Sequence, residues 1–150
     1  MASKLKDFAT SVVAVVEPET AALVVAQLMR KHHIGALVVV DAQVKTKPVG
    51  IVTDRDLVLE LMAEGLDPKV FTAGDIMSVD LVLVSPEMDA LEAVSLMKKH
   101  RLRRLVMADA KGSLVGIVTM EDVLELLARE LADLAAGLSG ARDREATERT

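Results

Sequence analysis

Residues 16–42 read VEPETAALVVAQLMRKHHIGALVVVDA, and residues 84–110 read VSPEMDALEAVSLMKKHRLRRLVMADA. At a constant shift of 68, with no gap, the two stretches agree at thirteen of 27 positions. Chance pairing at ordinary residue frequencies would match roughly 2. The identities include Pro18/Pro86, Leu28-Met29/Leu96-Met97, Lys31-His32/Lys99-His100 and Asp41-Ala42/Asp109-Ala110. After a two-residue length difference the match resumes, with Val49-Gly50-Ile51-Val52-Thr53 against Val115-Gly116-Ile117-Val118-Thr119 and then Asp56 against Asp122. The chain is a duplication, and its repeat defines the structural unit.

Working outward, each copy reads alike. A short β-branched run, Val12 to Val16 or Leu81 to Val84, ends at Glu17-Pro18 or Ser85-Pro86, a strand followed by a turn. Helical spacing follows from about Thr20 to His32 and from about Asp89 to His100. In the second copy Ala90, Ala93, Val94 and Met97 make an apolar stripe opposite Glu92, Ser95, Lys98 and Lys99, the mark of an amphipathic helix. Two strands come next, Ala36 to Val40 with Val49 to Val52, and Leu105 to Ala108 with Leu114 to Val118. A closing helix begins beyond Thr53 and Thr119. The expected fold is mixed α/β (α+β), two β-α-β-β-α repeats packed sheet to sheet, because a unit of about 60 residues buries little surface alone. The boundaries drawn are 7–66 for the first repeat, 67–78 for a linker, 79–136 for the second repeat and 137–150 for a flexible tail.

Composition narrows the function. The 150 residues are 51% hydrophobic and 27% charged, with a net charge of −5, ordinary for a chain with a real core. Acidity argues against general nucleic-acid binding, which draws its affinity from clustered positive charge. Phe8 and Phe71 are the only aromatic rings among Phe, Tyr and Trp, so a flat ligand would lie between aliphatic side chains. Without cysteine there is no disulfide, thiolate nucleophile or zinc-thiolate site. Apolar stretches such as Ile34 to Val40 fall short of the roughly 20 residues of a membrane span. Met1 to Asp7 lacks a secretory pattern, and a cytoplasmic location is the expectation.

Two features invite chemistry. Thr53 with Asp56, and Thr119 with Asp122, recur at a strand-to-helix junction. Such a pair closes a capping box on the orphan amides of the helix; a hydroxyl and a carboxylate there also suit the two hydroxyls of a ribose. Gly50 and Gly116 allow another backbone to approach, or mark bulges. The second feature is the run Lys98-Lys99-His100-Arg101-Leu102-Arg103-Arg104. Its first three cations suit a helix C-terminus. Arg103 and Arg104 stand where the first copy has Gly35 and Ala36, and arginine's fork suits phosphate oxygens. His32, His33 and His100 lack carboxylates at helical i+4 spacing for a metal. No G-x-S-x-G elbow, P-loop or G-x-G-x-x-G occurs, and the eight methionines suit core packing.

The two endings Gly50-Ile51-Val52-Thr53-Asp54-Arg55-Asp56 and Gly116-Ile117-Val118-Thr119-Met120-Glu121-Asp122, with Asp75-Ile76-Met77 before the second unit, make the chain similar to a tandem pair of cystathionine-β-synthase (CBS) domains, a Bateman module, over about residues 7 to 135. The resemblance is to small stand-alone members. It implies a non-catalytic regulatory module for adenosine-containing ligands such as AMP, ADP or ATP, with no resident cofactor, acting on a regulated protein. It implies ribose at Thr53/Asp56 and Thr119/Asp122, adenine near Val16 and Val52 for the Asp122 pocket and near Val84 and Val118 for the Asp56 pocket, and phosphate at Arg103 and Arg104. On that basis the Asp122 pocket, with the arginine pair in reach, is expected to be the tighter one, while Arg55 either compensates in the first repeat or faces solvent. Two copies are expected to pair as a homodimer through Leu57, Val58, Leu61, Met62, Val123, Leu124, Leu126 and Leu127. The rival readings are a ligand-free dimerisation scaffold whose Thr-x-x-Asp segments are only caps, and a nucleotide hydrolase.

Overall fold

The computed structural model describes residues 3–11 and 14–149. Each repeat builds one three-stranded sheet. The first runs β1 (Val15–Val16), β2 (Ala36–Val40), β3 (Pro48–Thr53), with β1 parallel and β3 antiparallel to β2. The second repeats that order with β4 (Leu83–Val84), β5 (Arg104–Ala108) and β6 (Leu114–Thr119). The register is copied as well: Ala36 faces Thr53 across the first sheet as Arg104 faces Thr119 across the second. Of the expected opening run, Val12 and Val13 lie outside the described residues.

Helices α1 (Ala22–His32) and α4 (Ala90–His100) cross between the parallel strands. Each ends on a left-handed residue, His33 at φ 53° and Arg101 at φ 55°, a turn glycine would make more cheaply. Beyond β3, α2 (Asp54–Asp56) passes into a π-helical stretch, Leu57–Met62. The short α3 (Ala73–Ile76) lies inside the expected linker. Beyond β6, α5 (Met120–Glu148) is a single helix of 29 residues. Residues 137–148, expected within a flexible tail, continue α5 to Glu148, where alanine, leucine, glutamate and arginine favour the helix. Among the described residues, no helix is long and apolar enough to cross a membrane.

Strand alternation sorts the core into three parts. Leu37, Val39 and Val52 face α1 and pack with Val16, Val25 and Met29. Leu105, Met107 and Val118 face α4 and α5, with Val84, Met97 and Val123. The opposite faces meet, Val38 and Val40 against Val106 and Ile117, with Ile51 and Leu114 at the edge. The repeats therefore do pack sheet to sheet. Truncating a fully buried side chain such as Leu37 to alanine costs about 2–5 kcal/mol. Of the residues expected on a dimer surface, Leu61, Val123 and Leu126 are buried instead, while Val58, Met62, Leu124 and Leu127 are exposed.

The segments leading into the repeats are exchanged. Residues 3–10 pack on the second repeat, where Leu5 N–H donates to the Met88 carbonyl (2.9 Å) and Lys6 N–H to that of Pro86 (3.0 Å). Residues 73–78 make the counterpart bonds on the first, Ala73 N–H to the Thr20 carbonyl (2.8 Å) and Gly74 N–H to that of Pro18 (2.9 Å). Thr10 then bridges to Ile117, and Ser78 to Ile51. Glu87 anchors the first lead-in by ion pairs with Lys4 and Lys6, both at 2.8 Å. Hydrogen bonds from those two lysines hold its carboxyl down at about 2.

Candidate functional site

Both recurring junctions fold as capping boxes. Asp56 Oδ2 accepts from Thr53 N–H at 2.8 Å and Thr53 Oγ1 from Asp56 N–H at 3.2 Å. The Thr119/Asp122 pair repeats this at 2.9 and 3.1 Å. A third box, Thr72/Asp75, caps α3 at 2.8 and 3.3 Å. In each, one carboxylate oxygen is engaged by the backbone, and among the described residues the Oδ1 atoms of Asp56 and Asp122 accept no protein hydrogen bond. Sequence reasoning passed over the third pair, which shows that a Thr-x-x-Asp segment by itself makes a cap.

What sets the first two junctions apart is an open crevice beside each. One, of about 170 Å³, is lined by Thr53, Asp56 and Ile51 of the first repeat, Leu102, Arg103, Arg104 and Val106 of the second, and Ser78, Asp80, Leu81 and Val82 of the lead-in. The other, of about 180 Å³, is lined by Thr119 and Ile117, by Ile34, Gly35 and Ala36, by Thr10 and Ala14, and by Arg104. The exchanged lead-ins thus complete the clefts: Thr10 and Ala14 occupy in one the places of Ser78 and Val82 in the other.

Two expectations change here. The arginine pair was attached to the Asp122 pocket; Arg103 and Arg104 both line the Asp56 cleft, and only Arg104 also reaches the Thr119 cleft, where Asp122 itself is not a lining residue. The reason is that the two sheets face each other, so the start of β5 abuts the end of β3. Val16, Val52, Val84 and Val118 were assigned to adenine; all four are buried in the helix-side cores and line neither cleft. Along a strand, residues two apart share a face. Thr53 therefore brings Ile51, not Val52, to the cleft, and Thr119 brings Ile117, not Val118. Counting back by two from each threonine would have found them. Arg55 is exposed and lines neither cleft.

The two arginines differ in their engagements. Arg103 forms an ion pair with Glu121, whose carboxyl is held below the usual carboxylate range by its own backbone amide and then by Arg103. Arg104 forms no ion pair among the described residues; it lines both clefts, and its Nη2 lies 3.7 Å from where a Cβ on Gly35 would stand, on the side of the Thr119 cleft. A flat aliphatic crevice with a cap carboxylate and a free arginine can hold a base, a diol and an anion at once.

The repeated glycines explain how the lead-ins come so close. A Cβ on Gly116 would stand 2.3 Å from the Thr10 carbonyl oxygen, and one on Gly50 would stand 2.4 Å from Met77 Sδ. The first neighbour is backbone and the second a pliable side chain. Backbone approach, one of the two roles considered for these glycines, holds at Gly116, whereas at Gly50 the near atoms belong to the Met77 side chain.

Comparison with known proteins agrees with this architecture. The CBS domain profile matches residues 5–63 and 73–129. A protein of Methanopyrus kandleri is 42% identical over 109 residues, 73% of this chain and 55% of that one, so this chain spans just over half that relative's length. The CBS domain-containing protein YhcV of Bacillus subtilis is 36% identical over 135 residues, 90% of this chain and 91% of its own. Among solved structures, a CBS domain protein of Pyrobaculum aerophilum complexed with AMP superposes with a TM-score of 0.74 at 22% identity, covering 85% of this chain and 99% of that one.

Proposed function

The chain belongs to the CBS domain family, and from that premise we propose that it is a regulatory module binding an adenine nucleotide (AMP, ADP or ATP) in the cleft at Asp56. The observation that carries this reading is the convergence of Thr53, Asp56, Arg103 and Arg104 on one aliphatic crevice. In it, Ile51, Val82 and Val106 sandwich the purine, Thr53 and the free oxygen of Asp56 take the ribose hydroxyls, and the arginines meet phosphate. The AMP complex of the Pyrobaculum aerophilum protein supports the ligand class. Ligand would alter the packing of the two sheets, and a regulated partner, or a second copy paired through Val58 and Met62, would read the shifted population. The module binds without catalysing.

The test is direct. Lacking Trp and Tyr, the purified protein shows carried-over nucleotide as an unmasked purine band. Added AMP or ATP at about 100 times its dissociation constant raises stability by about 2.7 kcal/mol, read as an upward shift in Tm. A second reading, a ligand-free scaffold, draws on the capping boxes that close on their own amides. Absence of both the band and the shift at millimolar AMP, ATP and S-adenosylmethionine would favour it.

A further inference from the structure

The hairpin turns at the other end of the sheets carry charge that the clefts do not use. β3 begins at Pro48 and β6 at Leu114, each five residues before the threonine that borders a cleft. At the rise of an extended strand the two ends lie about 17 Å apart. There the turn after β2 meets the turn after β5, and Leu114 N–H donates to the Thr46 carbonyl at 2.7 Å. Between them lies a cavity of about 240 Å³, larger than either cleft. Thr46 and Lys47 come to it from the first repeat, Lys111 and Ser113 from the second, and Val44 and Leu83 add apolar wall. The two-residue length difference between the repeats falls between Asp41 and Val49. The insertion that breaks the pseudo-symmetry therefore builds one wall of this cavity.

Charge here runs against that of the whole chain. In a protein of net charge −5, residues 42–48 and 110–114 hold three lysines and no acid. Lys45 is paired with Glu17 at 3.5 Å, whereas Lys47 and Lys111 form no ion pair among the described residues. The acids that open the two turns are spent on the backbone. Asp41 Oδ1 accepts from Gln43 and Val44 N–H at 2.8 and 2.9 Å, and Asp109 Oδ1 from Lys111 and Ser113 N–H, both at 2.9 Å. The amides of Val44 and Gln43 hold the Asp41 carboxyl below the usual carboxylate range, and Lys47 adds to that. Neither acid lines the cavity. Two unpaired ammonium groups call for a dianion. A carboxylate brings a single charge, but a phosphate group carries about −1.5 to −2 near neutral pH. The hydroxyls of Thr46 and Ser113 can donate to its remaining oxygens. No carboxylate stands in the lining to take a ribose diol, so a small phosphorylated molecule suits the cavity better than a nucleotide.

We propose that this cavity binds a phosphate group, free or carried on a short organic body, through Lys47 and Lys111, one lysine from each repeat. The site stands apart from the clefts and holds whether or not they take nucleotide. Titration of the full chain with inorganic phosphate and with glycerol phosphate, followed by amide resonances in NMR, tests it. Saturable shifts are expected at Thr46, Gly112 and Ser113, and Arg104→Ala should leave them unchanged. The double variant Lys47→Ala, Lys111→Ala is expected to weaken binding at least about tenfold. Both lysines are exposed, so its Tm without phosphate should match wild type. Lys45→Ala, which removes a cation already paired, is expected to keep the affinity within about twofold. Tighter binding of glycerol phosphate assigns Val44 and Leu83 to an organic body, and equal binding assigns the cavity to free phosphate. Shifts confined to the two clefts, no saturation at millimolar phosphate, equal binding of acetate, or equal losses from Lys45→Ala and the double variant would overturn the inference.

Discussion

The two clefts are copies of one design, yet they differ where it counts. Each has the threonine of a capping box at a strand end, an isoleucine two residues before it, and a lead-in borrowed from across the module, whereas the capping acid lines only the cleft at Asp56. At the start of the strand opposite, however, the Asp56 cleft receives Arg103 and Arg104 while the Thr119 cleft receives Gly35 and Ala36. Duplication kept the scaffold and let charge diverge. Because Arg104 lines both crevices, an anion bound in either would draw on the same guanidinium. The lesson is that a pseudo-symmetric fold yields non-equivalent sites when a single strand position changes.

Removing the shared cation should break the comparison most severely. Arg104→Ala is expected to weaken AMP binding about 10- to 150-fold, the worth of a charge-assisted hydrogen bond of about 1.5–3 kcal/mol, by titration calorimetry. The lead-ins come next. Gly116→Ala drives a methyl against the Thr10 backbone and should cost about 1–3 kcal/mol in denaturant unfolding, whereas Gly50→Ala, against the flexible Met77, should cost less. The three capping boxes then separate cap from ligand. Asp56→Ala, Asp122→Ala and Asp75→Ala each lose about 1 kcal/mol of stability, but only Asp56→Ala should also weaken AMP by about tenfold or more; an equal loss from Asp75→Ala, which lines neither of the two clefts, would reduce the effect to folding.

Glu121→Gln should sharpen the same contrast, because it releases Arg103 toward phosphate. A gain in AMP affinity of about 2- to 5-fold is expected, consistent with an exposed ion pair, and a loss would show that Glu121 positions Arg103 instead. The smallest effect concerns the first lead-in. Glu87 sits at about 2 against an ordinary 4.5, so its contribution to stability is complete above about 4.5 and disappears as pH falls through about 2. The Tm difference between wild type and Glu87→Gln should follow that course, positive near pH 6 and gone near pH 2.

How much of this was legible in the sequence depended on which physical signal carried it. The repeat itself, the strands and crossover helices were open to view, since identities such as Lys31-His32/Lys99-His100 and the amphipathic stripe of α4 are local. The threonine-acid junctions were equally plain. What the residues withheld was facing. Val52 and Ile51 are chemically near-identical neighbours, and only strand alternation, counted from Thr53, tells which enters the cleft. The pairing of Arg103 and Arg104 with Asp56 depends on how one sheet lies on the other, through Val38, Val106 and Ile117, a contact no linear pattern expresses. The exchange of lead-ins was hidden for the same reason, although Thr10 and Ser78 stand at the repeat's own shift of 68. The full length of α5 was obscured because the residues after Gly137 are mostly polar or small and show no apolar face.

The central claim is that adenine nucleotide occupies the arginine-lined cleft first. Crystals grown with a single equivalent of AMP would test it most directly. Density is predicted beside Thr53 and Asp56, with the phosphate against Arg104 and Arg103 and the base between Ile51 and Val106; density at Thr119 and Gly35 alone, or in neither crevice at saturating AMP, would contradict it.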